Sequence, residues 1–133
     1  MAGAGSVERR RQAMFTLIGM LLRDNILPPR VQAAMYQALP KIPGVRLQQD
    51  AVDAAGRHGV AFARVTPGTL GFPLRLRFEI ILDPQTFHYL GERTVAANDA
   101  TAPDEEWQVA KDTVLSASVR TAAAIVNRPG QRG

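Results

Sequence analysis

The sequence predicts an α+β domain: two N-terminal helices packed on a four- or five-stranded, mainly antiparallel sheet, a meander that can curl into a half-barrel. Three observations carry this expectation. Apolar residues recur every three or four positions between Met14 and Leu22, a cluster of Pro40, Pro43 and Gly44 stops the helical period, and from Leu74 to Ala96 two alternating runs flank Asp83-Pro84-Gln85-Thr86.

The first helix is read from Ser6, which can cap it, to Asp24, with Met14, Phe15, Leu17, Ile18, Leu21 and Leu22 on its apolar side. Pro28 disfavours helical geometry at Leu27, whereas Pro29 suits the first turn of a second helix running to Leu39 and burying Val31, Ala34, Met35 and Ala38. After Gly44 the period shortens to that of strands. Val45 to Val52 and Gly59 to Thr66 form a first hairpin, with Asp53 bonding its own turn and Gly56 and Gly59 supplying backbone freedom. The segment 67–73 holds two Gly and two Pro and reads as a loop that exposes or docks Leu70 and Phe72.

The third strand is the clearest. Leu74, Leu76, Phe78, Ile80 and Leu82 share one face, turned to the helices, and Arg75, Arg77, Glu79 and Ile81 share the outer one. Pro84 presets a type I turn, so the chain reverses into a fourth strand from Phe87 to Ala97. Setting Leu82 opposite Phe87 puts Ile80 against Tyr89 inside and Arg77 against Glu92 outside, at the cost of an inward-pointing Arg93. A one-residue slip is worse, since it opposes Arg77 to Arg93 and Glu92 to Phe78. An acidic loop from Asn98 to Glu106 follows, then a last, long strand from Trp107 to Val126 whose end, Thr121 to Ile125, also fits a helix. At 133 residues the chain is one domain, with tail-like composition at 1–5 and 128–133.

A composition of 46% hydrophobic and 21% charged residues is globular, and the longest apolar run, Ala13 to Leu22, is too short to span a bilayer, so a soluble chain is expected. Arg9 to Arg11 followed by that run resembles the start of a secretory signal, but Arg23-Asp24-Asn25 stands where a small-residue cleavage site belongs. The reading is therefore cytoplasmic. No cysteine is present, so disulfides and thiol chemistry are excluded. The net charge of +4 comes from 14 Arg and 2 Lys that are scattered apart from the N-terminal triplet, and the Arg excess with abundant Ala points to a GC-rich genome.

Three segments carry a family resemblance: FTLIGMLLRDNILPPRVQAAMYQALPKIPGVRL, the turn DAAGRHGVA, and EIILDPQTFHYLGERTV, together spanning Phe15 to Val95. In order and spacing they resemble an actinobacterial family of proteins without assigned function, in which two helices and a β-meander recur. The resemblance implies this fold as a C-terminal domain. It also implies longer, usually membrane-anchored relatives, often encoded beside extracytoplasmic-function sigma factors, and hence an extracytoplasmic alternative for location. The N-terminal membrane portion of that pattern is missing from this chain. The family transfers no catalytic or binding residue.

Candidate chemistry is sparse. His58 and His88 are the only imidazoles, and Asp50, Asp53 and Glu92 follow no ligand spacing with them, so no metal or cofactor is expected. Glu79, Asp83 and Glu92 could serve acid–base chemistry only from an apolar pocket, and the outer-face Arg75 and Arg77 favour plain ion pairing instead. Arg46, Arg64, Arg75 and Arg77 form a basic face, but Phe78, Phe87 and Tyr89 alternate onto the buried side, leaving no base-stacking platform; nucleic acid is disfavoured. The Arg9–Arg11 cluster ahead of an amphipathic helix could touch anionic lipid, with helix-on-sheet packing the preferred reading.

The leading expectation is a non-enzymatic binding or regulatory domain that engages a protein partner or a second copy of itself. Its contact residues would be Leu70, Phe72, Arg75, Arg77 and Ile81. The alternative is a carrier or sensor of an apolar small molecule in a cavity between sheet and helices, lined by Met14, Met35, Phe78 and Tyr89.

Overall fold

A computed structural model describes residues 4–66 and 73–120. Helix α1 (Ala4–Asp24) and helix α2 (Pro29–Ala38), extended by a 3-10 turn (Leu39–Lys41), precede strands β1 (Val45–Val52), β2 (His58–Val65), β3 (Leu76–Leu82), β4 (Tyr89–Ala96), β5 (Ala100–Thr101), β6 (Gln108–Val109) and β7 (Val114–Val119). Five strands make one antiparallel sheet in the order β1-β2-β3-β4-β7, and β5 pairs with β6 in a small separate ribbon. The α+β class, the N-terminal helices and the sequential strand order agree with the sequence reading. No described helix is long and apolar enough to cross a membrane.

The main core lies between the helices and one face of the sheet. Phe15 and Leu22 of α1, Leu39 and Ile42 pack with Val60, Phe62, Ile80, Leu82 and Tyr89, and Met35 and Tyr36 of α2 close over them. The Tyr36 ring meets Phe62 edge-on at 5.2 Å, a favourable aromatic geometry. On the same face Arg64 is buried: its guanidinium donates to both Glu8 oxygens at 2.5 and 2.6 Å and to Gln12 Oε1 at 2.7 Å, tying β2 to α1. Arg64 therefore belongs to no exposed basic surface.

The β3–β4 register differs from the expected one. Asp83 Oδ1 does accept from the amides of Gln85 and Thr86, but the loop runs on to His88, because Phe87 adopts a left-handed φ of 64° and its amide closes on the Asp83 carbonyl. That conformation takes Phe87 out of the strand and lays its ring 4.9 Å from Tyr36. Leu82 then faces Tyr89, Ile80 faces Glu92, Phe78 faces Thr94 and Glu79 faces Arg93. Glu92 thereby moves to the helix side and Arg93 to the other.

The second face is not an exposed one. Its β2 residues are Gly59, Ala61 and Ala63, small enough for the sheet to curl tightly, and a Cβ on Gly59 would lie 2.8 Å from the Leu82 carbonyl oxygen. Neighbouring strands sit about 5 Å apart, yet Arg93 of β4 reaches the Val52 carbonyl of β1 across two intervening strands. Arg57, in the β1–β2 turn, likewise donates to the carbonyls of Leu90 and Arg120. Inside this concave side Ile81 packs with Ala51, Ala61 and Leu90, and the fully buried Glu79 carboxylate takes one guanidinium from Arg77 at 2.7 Å and another from Arg93. The expected exposed pairing of Glu79 is thus a buried triad.

Strand and helix boundaries also moved, β3 starting at Leu76 rather than Leu74 among them. Helix α1 starts at Ala4 rather than Ser6, and the expected last strand is divided. The amide of Ala102 bonds the Trp107 carbonyl within the β5–β6 ribbon, and Asp112, at a φ of 72°, turns the chain before β7. Residues 121–126 of that expected strand lie outside the described residues.

Candidate functional site

Helix α1 crosses the sheet without covering it evenly. Gln12, Phe15, Thr16, Gly19 and Arg23 fall at three- and four-residue intervals, so they share one stripe of the helix and look down on β3, β4 and β7. Strand alternation places Phe78, Ile80, Glu92, Thr94, Ser116 and Ser118 on the facing side, with Thr94 opposite Ser116 and Glu92 opposite Ser118. Between stripe and strands lies a cleft of about 510 Å³.

Each wall has a sequence cause. Gly19 lets α1 approach the sheet, since a Cβ there would already sit 3.0 Å from Ile80 Cδ1. Phe15, Phe78 and Ile80 make the apolar floor, while β4 and β7 supply short hydroxylated side chains that leave volume unfilled. One end is closed by Arg23, whose guanidinium donates to Glu92 at 2.6 Å and to Asp24 at 3.0 Å. Hydrogen bonding by Asp24 and Glu92 raises the Arg23 pKa further, so the guanidinium stays charged. The other end is closed by Gln12, held by buried Arg64.

Beside the Arg23 end stands the buried ring of Tyr89, with the Arg120 guanidinium 5.1 Å from its centroid. Burial, with the negative charge of Glu92, pushes the Tyr89 pKa upward, so the phenol stays protonated. Its hydroxyl lies against Glu92 and Ser118 of the cleft. The cleft thus offers an apolar floor, a row of hydroxyls and an ion pair.

The structure disperses the residues singled out from sequence. Leu70 and Phe72 lie outside the described residues. Arg75 is exposed, Arg77 is half-buried between Glu79 and Asp112, and Ile81 is buried, so the expected outer-face patch does not form among them: sheet curl has taken that face inside. Of the expected cavity residues, Phe78 lines the cleft and Tyr89 stands behind it; Met35 packs against the main core, and Met14 points away to solvent. Gln12, Thr16, Gly19, Thr94, Ser116 and Ser118 were not anticipated. A signal existed in the paired polar residues at Glu92 and Thr94 and at Ser116 and Ser118, spaced by two on strands that become neighbours.

The histidines stay apart from the cleft. His58 Nδ1 lies 2.8 Å from Asp50 at the exposed end of the first hairpin, and His88 is exposed in the β3–β4 turn. Among the described residues no three His, Cys, Asp or Glu side chains come together as a metal site. No family model, curated protein or solved structure matches the chain.

Proposed function

We propose that this protein is a non-enzymatic binding domain whose ligand is a small amphipathic molecule seated between α1 and strands β4 and β7. The observation that carries this reading is the cleft itself, about 510 Å³ with an apolar floor of Phe15, Phe78 and Ile80. That size falls within the roughly 300–1,000 Å³ of small-molecule sites. The hydroxyls of Thr94, Ser116 and Ser118 and the Arg23–Glu92 ion pair add a place for a polar head group. The expected protein-contact face has less support, because Ile81 and much of Arg77 are withdrawn into the interior.

Fluorescence titration with N-phenyl-1-naphthylamine, a neutral apolar amine with one polar atom, tests the proposal. Saturable binding is expected for the native chain, with at least tenfold weaker binding after Ser116→Leu, which fills the cleft from its outer wall. Binding that is absent, or that ignores Ser116→Leu, overturns it.

A further inference from the structure

The side of α1 turned away from the sheet is apolar as well. Facing inward are Phe15 and Leu22, each 2% exposed, with half-buried Ile18. On the far side Met14, Leu17 and Met20 remain 54%, 53% and 43% exposed, beside exposed Ala13. These positions recur every three or four residues, so they form one continuous stripe on a helix whose other stripe is already used. A helix that is apolar on both sides is built to be covered on both.

The charges at the two ends of this stripe identify the cover. Arg9 and Arg10 are exposed at its N-terminal end, and at its C-terminal end stands Asp24, whose carboxylate takes the Arg23 guanidinium and is still more than half exposed, with room for a second cation. Such a face is complementary to itself when turned end for end. We propose that α1 pairs antiparallel with α1 of a second copy of this chain, about a two-fold axis through Leu17. Counting outward from that axis, Met14 meets Met20 of the other copy, Ala13 meets Leu21, and Arg10 meets Asp24. An isologous contact makes every one of these pairs twice. The span from Arg10 to Asp24 is about 21 Å at 1.5 Å per residue, so both charge pairs form only if the helices cross at a shallow angle. Antiparallel alignment also sets the positive N-terminal pole of each helix beside the negative pole of the other. An anionic membrane would reward the arginines but not Asp24, whereas a second copy uses both. The cleft lies on the opposite side of α1 and stays open in this dimer.

Because the chain has no cysteine, a single introduced one reports its neighbours without background. Sedimentation equilibrium of the native chain should give a reversible dimer, and Leu17→Glu should weaken it roughly thirtyfold or more, as for a central interface residue. Oxidation of Leu17→Cys should yield a disulfide-linked dimer rapidly, and Gln37→Cys on exposed α2 should not. A mixture of Met14→Cys and Met20→Cys chains should cross-link to each other in preference to themselves. Arg10→Glu and Asp24→Arg should each weaken the dimer, and the double variant should recover it. A monomer at every accessible concentration overturns the proposal. So does a dimer indifferent to Leu17→Glu, or a charge swap without recovery. A monomer that co-sediments with phosphatidylglycerol vesicles through this stripe would assign the face to lipid instead.

Discussion

On the helix side, the sheet has two unlike halves. From β1 to β3 it presents Val45, Val60, Phe62, Ile80 and Leu82, and Leu39, Ile42, Met35 and Tyr36 descend to meet them, leaving a solid core. Along β4 and β7 the same face carries Glu92, Thr94, Ser116 and Ser118, and α1 opposes them with Thr16 and Gly19. Phe15 and Leu22 of α1 join α2 over the first half, whereas over the second α1 stands alone. The second cover and the larger side chains make the first half core, and the second stays a cleft because close packing leaves a void wherever the facing surfaces do not fill the space.

The strongest way to erase the contrast is to make the filled half resemble the open one. Phe62→Ala removes a fully buried ring that supports Tyr36, and a loss of about 3–5 kcal/mol is expected in urea unfolding. Next comes removal of the cleft's outer wall. A Cβ on Gly91 would lie 2.2 Å from the Ser118 carbonyl oxygen and 3.0 Å from Val119 Cα, both backbone atoms that cannot rotate aside. Gly91→Ala should therefore prise β7 from β4, costing about 1–3 kcal/mol and exposing the β7 amides to hydrogen exchange while β2 stays protected.

Acid should act on the link between the halves. Burial alone would raise the Asp53 pKa, but hydrogen bonds from the Arg57 amide, its guanidinium and the Ala55 amide, with the Arg57 charge, hold it below its ordinary 3.8. A pKa lower in the folded state contributes stability that is whole above the unfolded value and is lost as pH falls through the folded one. Unfolding free energy measured against pH should thus decline below 3.8 as Arg57, which also grips the Leu90 and Arg120 carbonyls, loses its counter-charge; Asp53→Asn should flatten that decline. The smallest effect belongs to Ser116→Leu, expected to change stability by no more than about 0.5 kcal/mol, since it adds volume where space exists. A large loss there would mean that the cleft is closed in solution.

Much of this architecture could be read from the chain. The alternation from Leu76 to Leu82 and the Pro–Gly stop before Val45 led directly to β3 and to the start of the sheet. The β3–β4 register could not be read, because it turns on one residue, Phe87, adopting a conformation unusual for a bulky side chain in order to reach Tyr36. That shift moved Glu92 toward α1 and Arg93 onto Glu79, and with them the cleft's polar end. Ribbon strands of two residues each, β5 and β6, carry too few positions for any period to register. The burial of Ile81 was equally hidden: it follows from Gly59, Ala61 and Ala63 on the neighbouring strand, whose small size permits the curl.

Arg120, the final described residue, gives the fold a temporal order. Its guanidinium donates to the carbonyls of Leu22, at 2.8 Å, and of Arg23, groups that the end of α1 leaves without helical partners. Helix α1 is thus finished by a residue 98 positions beyond Leu22. On a ribosome, α1 would emerge with its C-terminal carbonyls open and remain so until β7 had been synthesised and paired. Contacts of such sequence separation make folding slow relative to local helix formation. The exposed Met14, Leu17 and Met20 would then be available to other chains before the domain itself is closed.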